Sequence, residues 1–288
     1  MQTKSLKPHE NLGWSAGLRN MLRKENAKWW SWKSLAVQLI VWTAIINSMV
    51  ALAVFIIPQM PVTDSVQTQV NSSISSSGDP NAVNPFDFSP AGVLRLGLSM
   101  FFQIAGIALL IGGVILAHDA ILKERESGTA AWLLSKPISR KSFVLAKLIA
   151  NVVGLLVVVI AVQAFVAYAQ ISIAYGGLAP AGPFLGGLGI MTVNAMFYMV
   201  LALALGAFTL SRGVTLGLPI IIGALGGLLL QVVDQLAYVT PWNLGATALS
   251  VAQGAPLPDF APYAIVATIV WTLVFAGAAV WRFERIEL

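Results

Sequence analysis

Apolar residues in this chain fall into six long runs, at 35–57, 93–117, 142–174, 184–210, 214–233 and 262–281, separated by polar stretches of very different length. Each run is near or beyond the ~20 residues that a helix needs to cross about 30 Å of hydrocarbon. The pattern predicts an all-α membrane protein with six transmembrane helices. The run at 142–174 exceeds what a bilayer requires, which predicts a tilted helix or one that projects from the membrane. Only Ser211, Arg212 and Gly213 separate the fourth and fifth runs, so those helices are expected to be antiparallel neighbours.

Ahead of the first run, Trp14, Leu18, Met21, Leu22, Trp29 and Trp32 recur near the helical period, while Arg19, Arg23, Lys24 and Lys28 fall largely elsewhere on the wheel. This predicts an amino-terminal amphipathic helix lying in the membrane interface. Glu25 interrupts its apolar stripe. The helix reads equally as a simple anchor and as an elbow that also touches a partner.

The only densely charged interruption between apolar runs is residues 118–147, HDAILKERESGTAAWLLSKPISRKSFVLAK. The helix of the second run is expected to continue through Asp119, Glu124 and Glu126 until Gly128 stops it. A short helix then starts at Thr129, read as its N-cap, and carries Trp132, Leu133 and Leu134 before Pro137 ends it. Ser139 caps the next helix, which bears Arg140, Lys141 and Lys147. The three apolar residues of the short helix have no core of their own in this reading. They predict an exposed patch that headgroups, a neighbouring helix or a separate protein covers.

Composition and charge sharpen the class. With 57% hydrophobic and 10% charged residues and a mean hydropathy of +0.80, the chain lies far from the roughly one-quarter charged residues of soluble domains. The net charge of +5 is no nucleic-acid signature, because its distribution follows the membrane. Seven Lys and Arg precede the first run, six lie in the hairpin, Arg212 is one more and Arg282 and Arg285 follow the last run, leaving only Arg95 on the other side. The positive-inside rule therefore predicts both termini in the cytosol and a cytoplasmic hairpin. Residues 1–34 read as a cytosolic segment with the interfacial helix, and 35–288 as a single transmembrane domain. No small-residue cleavage pattern follows a short apolar core near the start, so no signal peptide is expected.

Between the first two runs, residues 58–92 have the Ser, Asn, Pro and Gly content of a flexible outer loop with no domain of its own. Residues 234–261 are less polar and read either as a segment dipping back into the outer leaflet or as an ordinary amphipathic cap.

No Asp, Glu, Lys or Arg lies near the middle of any run. This argues against ion-coupled transport and against intramembrane hydrolysis, both of which need ionisable or metal-held groups within the spans. Two His, no Cys and no ligand spacing give no metal site, and no catalytic constellation is present. Energy for transport would come from outside the chain. ATP is the natural source, yet no GxxxxGK[ST] phosphate loop occurs, so an ATPase is expected to be another polypeptide. Gly213 with Gly217, and Gly223 with Gly227, form two small-xxx-small pairs in the fifth run, which read as a dimer seam or as packing within the chain.

The acidic helix end at Glu124 and Glu126, then Gly128-Thr129, Leu133-Leu134, Pro137, Arg140 and Lys147, set between the second and third of six spans, resembles the cytoplasmic segment of type-2 ABC exporter permeases. The resemblance covers essentially the whole chain. It implies a permease in the cell membrane that has no ATPase site, with ATP and Mg bound by a separate ATP-binding cassette subunit present in two copies. It also implies a second permease copy, a homodimer being preferred to a heterodimer, and it makes 118–147 the coupling element. Spans two and five would then surround the pathway, placing Phe102 and Gln103, and the neighbouring Met100, Phe101 and Leu109, on or near it. The resemblance further favours the dimer seam for the fifth-run glycines and the re-entrant reading of 234–261. A non-transporting membrane scaffold for a cytosolic partner is the alternative.

Overall fold

The computed structural model describes residues 15, 17–61, 63–77, 84, 86–135 and 138–286, with side chains at all of these except 64, 66, 67, 77, 131 and 134. Among them there is no β-strand. Helix α1 (Leu18–Trp30) precedes α2 (Trp32–Gln59), and Ser31 both interrupts the chain and caps α2 by accepting from the Ser34 amide. Then follow α3 (Asp64–Ser77), α4 (Pro90–Glu126), α5 (Thr129–Leu134), α6 (Arg140–Tyr175), α7 (Ala181–Phe208), α8 (Arg212–Leu230), α9 (Leu244–Ala252) and α10 (Ala261–Glu284). Six of these, α2, α4, α6, α7, α8 and α10, are long and apolar enough to cross a membrane.

The caps expected from sequence form at both ends of the hairpin. Gly128 adopts φ 69° and ends α4, a conformation that costs a side chain with Cβ but not glycine. The Ser139 hydroxyl accepts from the Ser142 amide at 3.0 Å and opens α6. Thr129 differs from its expected role. It is the first helical residue, and the Gly128 carbonyl accepts the Trp132 amide.

Helix α7 is the axis of the bundle, packed by α4, α9 and α10, with α8 against α4 and α7 and with α6 joining α1 to the rest. Tryptophans lock further segments onto the helices around it. The Trp29, Trp42 and Trp242 rings lie on Gly154, Gly112 and Gly226 of α6, α4 and α8, so closely that a Cβ at any of these glycines would overlap the indole. Glycine is required here for close approach, not for backbone freedom.

One stretch departs from the sequence reading, and a second takes a form that reading had left open. Residues 64–77 form a helix within the expected flexible loop. Its serine hydroxyls donate back to carbonyls of its own turns, Ser72 and Ser73 to Gln69 and Ser75 to Asn71, at 2.8 to 2.9 Å, so the polar residues are accommodated inside the helical ladder. Residues 234–261 form neither a bare cap nor a loop. A 3-10 turn at Asp234–Tyr238 leads to α9, whose Leu244, Thr247, Ala248, Leu249 and Ala252 are buried. Gln253, just past α9, donates to Ser99 Oγ at 3.0 Å, nine residues into α4 or about 13 Å along its axis. The segment is thus packed well inside the end of the bundle.

Candidate functional site: the charged base of the bundle

The hairpin, α1, the α7–α8 turn and the end of α10 meet at one end of the molecule. The amphipathic spacing of α1 turns Met21, Glu25 and Trp29 to the same side, and all three are buried. Glu25 is therefore part of the stripe that it interrupts. Opposite it, the apolar face of α6 carries Lys147, which is 0% exposed, against 3% for Glu25. Lys147 Nζ lies 3.0 Å from Glu25 Oε1 and 3.0 Å from Glu124 Oε2, and 4.9 Å from the Phe143 ring centroid.

The pairing continues outward on both sides. Lys28 reaches Glu25 Oε2 at 2.7 Å and Lys24 reaches Glu124 Oε1 at 2.9 Å. Lys28, Glu25, Lys147, Glu124 and Lys24 form an alternating chain of five charges on α1, α6 and α4. Removing a carboxylate or ammonium from water is costly, and the cost is recovered only when pairing is close and complete. Here the buried cation has two carboxylates and each carboxylate has a second, more exposed cation. Burial pushes the Glu25 carboxyl pKa up, but Lys147 and Lys28 pull harder and hold it below its ordinary value.

Other basic residues of the hairpin cap helix ends. The Arg125 guanidinium donates to the Gly206 and Ala207 carbonyls at 3.0 and 3.1 Å, at the end of α7. Arg140 donates to the Glu284 and Ile286 carbonyls at 2.8 and 2.6 Å, at the end of α10. Cations at helix C-termini satisfy orphan carbonyls and complement the helix dipole. Glu126 pairs with Arg212 of α8 at 2.7 Å, Lys141 with Glu284 at 3.4 Å, and the Phe143 and Phe283 rings stack 4.8 Å apart. The hairpin is thereby fastened to α1, α7, α8 and α10 by separate polar contacts, which makes it a plate across the base of the bundle.

The short helix α5 sits at the turn of this plate. Trp132 is 60% exposed, whereas Leu133 is only 6% exposed and Ala130 is buried. Of the covers expected for this patch, Leu133 takes the chain's own core, while Trp132, about 100° further round the helix, stays exposed. The side chain of Leu134, and Pro137 and Trp14 entirely, lie outside the described residues.

The residues expected along a seam or pathway are not brought together as a set. Phe102 is buried in an aromatic cluster with Phe101 and Phe184, at centroid separations of 5.2 and 5.8 Å. It therefore faces the interior of this chain, while Gln103, the next residue on the helix, is exposed. Gly223 packs against Leu110 and Tyr198, so that glycine serves contact within the chain. A Cβ at Gly213 would meet only Ser211, at 3.8 Å, and one at Gly217 or Gly227 would meet nothing within 4 Å.

Sequence reasoning missed the Glu25–Lys147 pair. The signal was present in two places: a carboxylate on the apolar stripe of α1, and a lone lysine inside FVLAKLIANVVG. Each reads as a local defect until the fold places one against the other.

Comparison with known proteins gives the context for this base. A model of the ABC-2 family of transporter proteins matches residues 28–288. The match takes in all six spans and the hairpin, and begins three residues after Glu25. No curated protein matches the chain. With six membrane-crossing helices and a family match over nearly its whole length, the chain belongs to the ABC-2 transporter family and is a multi-pass membrane protein with a permease role in ABC transport.

Proposed function

We propose that this chain is the transmembrane subunit of an ATP-driven exporter in the cell membrane, with its hairpin end in the cytosol. Two copies pair, as a homodimer, with two separate ABC ATPase subunits. Closure of the ATPases presses on α5, and the plate formed by the ends of α4 and α6 transmits that motion to the bundle. The cargo is amphipathic or lipid-like, in keeping with spans that carry no charge near their centres.

The observation that carries this reading is the fastening of the hairpin to four other helices around a single exposed tryptophan. A push at Trp132 meets an element whose neighbours are tied by Arg125, Glu126, Arg140 and Lys147. By sequence, sixteen of the seventeen basic residues belong to the segments on the hairpin side of the spans, which supports a cytosolic side. A mild-detergent pulldown with mass determination and an ATPase assay tests the reading. Two copies with two ATPases are expected, with substrate-stimulated hydrolysis that Trp132→Asp abolishes while the chain stays inserted. Recovery of this chain without any nucleotide-hydrolysing partner refutes it.

A further inference from the structure

The helices α2 and α6 are not regular where they face each other. α2 widens into π-helical turns at Thr43–Asn47 and Leu52–Ile56, and α6 does so at Leu155–Ala161. π-turns are rare and concentrate at functional positions. Here they surround a polar cluster deep in the spans. Gln163 Oε1 accepts from Thr43 Oγ1 at 3.1 Å and from Asn47 Nδ2 at 2.7 Å. Gln163 Nε2 donates to the Val158 carbonyl at 3.3 Å, five residues back, an acceptor left available by the wide turn.

The cluster leaves one acceptor over. Asn47 is 1% exposed, yet its Oδ1 has no hydrogen-bond partner among the described residues. Gln170 Oε1, two turns beyond Gln163, is likewise buried and unpartnered. Both residues line one groove of about 550 Å³ between α2 and α6, walled otherwise by side chains such as Leu39, Ile40 and Ala51. An orphaned carbonyl in an apolar setting costs free energy that a donor restores. Water is scarce at this depth, since Asn47 is the sixteenth of 28 residues in α2. The Ser48 hydroxyl is engaged by the Ala44 carbonyl of its own helix.

We propose that this groove binds an apolar, bilayer-resident molecule carrying a neutral hydroxyl, which donates to Gln170 Oε1 or Asn47 Oδ1 once that side-chain amide, buried and unpartnered in this structure, turns toward the groove. Among the described residues no carboxylate lines the groove, so an ammonium would lack a counter-charge, and the unpaired acceptors select a donor over an ester or ether.

The probe is a diazirine-bearing octadecanol, with its methyl ether as the donor-free control, photolysed with the full chain in phosphatidylcholine nanodiscs. The alcohol is expected to label peptides covering 39–51 and 165–175 about tenfold more than the ether, the ratio of one net hydrogen bond. Gln170→Leu, which leaves the Thr43, Asn47 and Gln163 bonds intact, should lower alcohol labelling several-fold. Asn47→Leu should lower it to the ether level. Equal labelling by alcohol and ether, labelling unchanged in both Gln170→Leu and Asn47→Leu, or no labelling of these peptides overturns the assignment. Repeating the experiment in native membranes with Mg-ATP separates the two sources of such a ligand: labelling that falls marks cargo, and labelling that persists marks a resident lipid.

Discussion

Replacing Lys147 by Met tests whether the charge network holds α1 to the hairpin. Methionine keeps the length and apolar stem of lysine but removes the ammonium that lies 3.0 Å from both Glu25 and Glu124. Breaking a buried ion pair on one side costs ~3–5 kcal/mol, because the partner charge stays buried and uncompensated. The lower end applies, since Glu25 keeps Lys28 at 2.7 Å and Glu124 keeps Lys24 at 2.9 Å, both cations being well exposed and screened. About 3 kcal/mol corresponds to roughly a 150-fold shift in the docking equilibrium of α1. Amide hydrogen exchange of residues 18–30 in nanodiscs reads that equilibrium directly, with the amides of α7 as an internal reference. Exchange in α1 should accelerate by about two orders of magnitude while α7 stays protected. The triple variant Lys147→Met, Glu25→Gln, Glu124→Gln should recover most of the protection, since no uncompensated charge remains. Lys147→Met exchange within about threefold of wild type would show that the apolar seat of Met21 and Trp29 carries the docking alone.

Gly154→Ala places a methyl against the Trp29 ring and should cost ~1–3 kcal/mol by overpacking, again read as faster exchange in α1. Gly217→Ala, which meets nothing within 4 Å, should leave protomer melting unchanged, and a fall in dimer fraction on native mass spectrometry would assign that face to a second copy. Because Glu25 is held below its ordinary value of 4.5, its contribution is fully present above that pH and is lost as pH falls through the lower folded value. Protection of α1 should accordingly hold down to about 4.5 and decline only below it, with Glu25→Gln weakening the dependence. Arg140→Met uncaps the Glu284 and Ile286 carbonyls and should cost ~1.5–3 kcal/mol as charged hydrogen bonds are lost, seen as fraying of 282–286 by exchange.

The amino-acid order alone determined the class and much of the framework. Six apolar runs of spanning length, Gly128 at the end of α4 and Ser139 at the start of α6 follow from local properties: hydrocarbon thickness, backbone freedom and a hydroxyl in reach of an amide. That Arg140 reaches the Glu284 and Ile286 carbonyls at the end of α10 is visible only in the fold. Tertiary structure alone decided which polar residues meet. Glu25 and Lys147 stand 122 positions apart, and each appears as an isolated flaw in an apolar face until docking turns the two flaws into a pair. The burial of Leu133 and Phe102 and the openness at Gly217 were equally beyond reach, because a helical wheel gives the relative directions of side chains but not which direction a neighbouring helix will cover. Long-range pairing and helix rotation belong to the packed bundle, and they determine which of the chain's exceptions to hydrophobic patterning become its working parts.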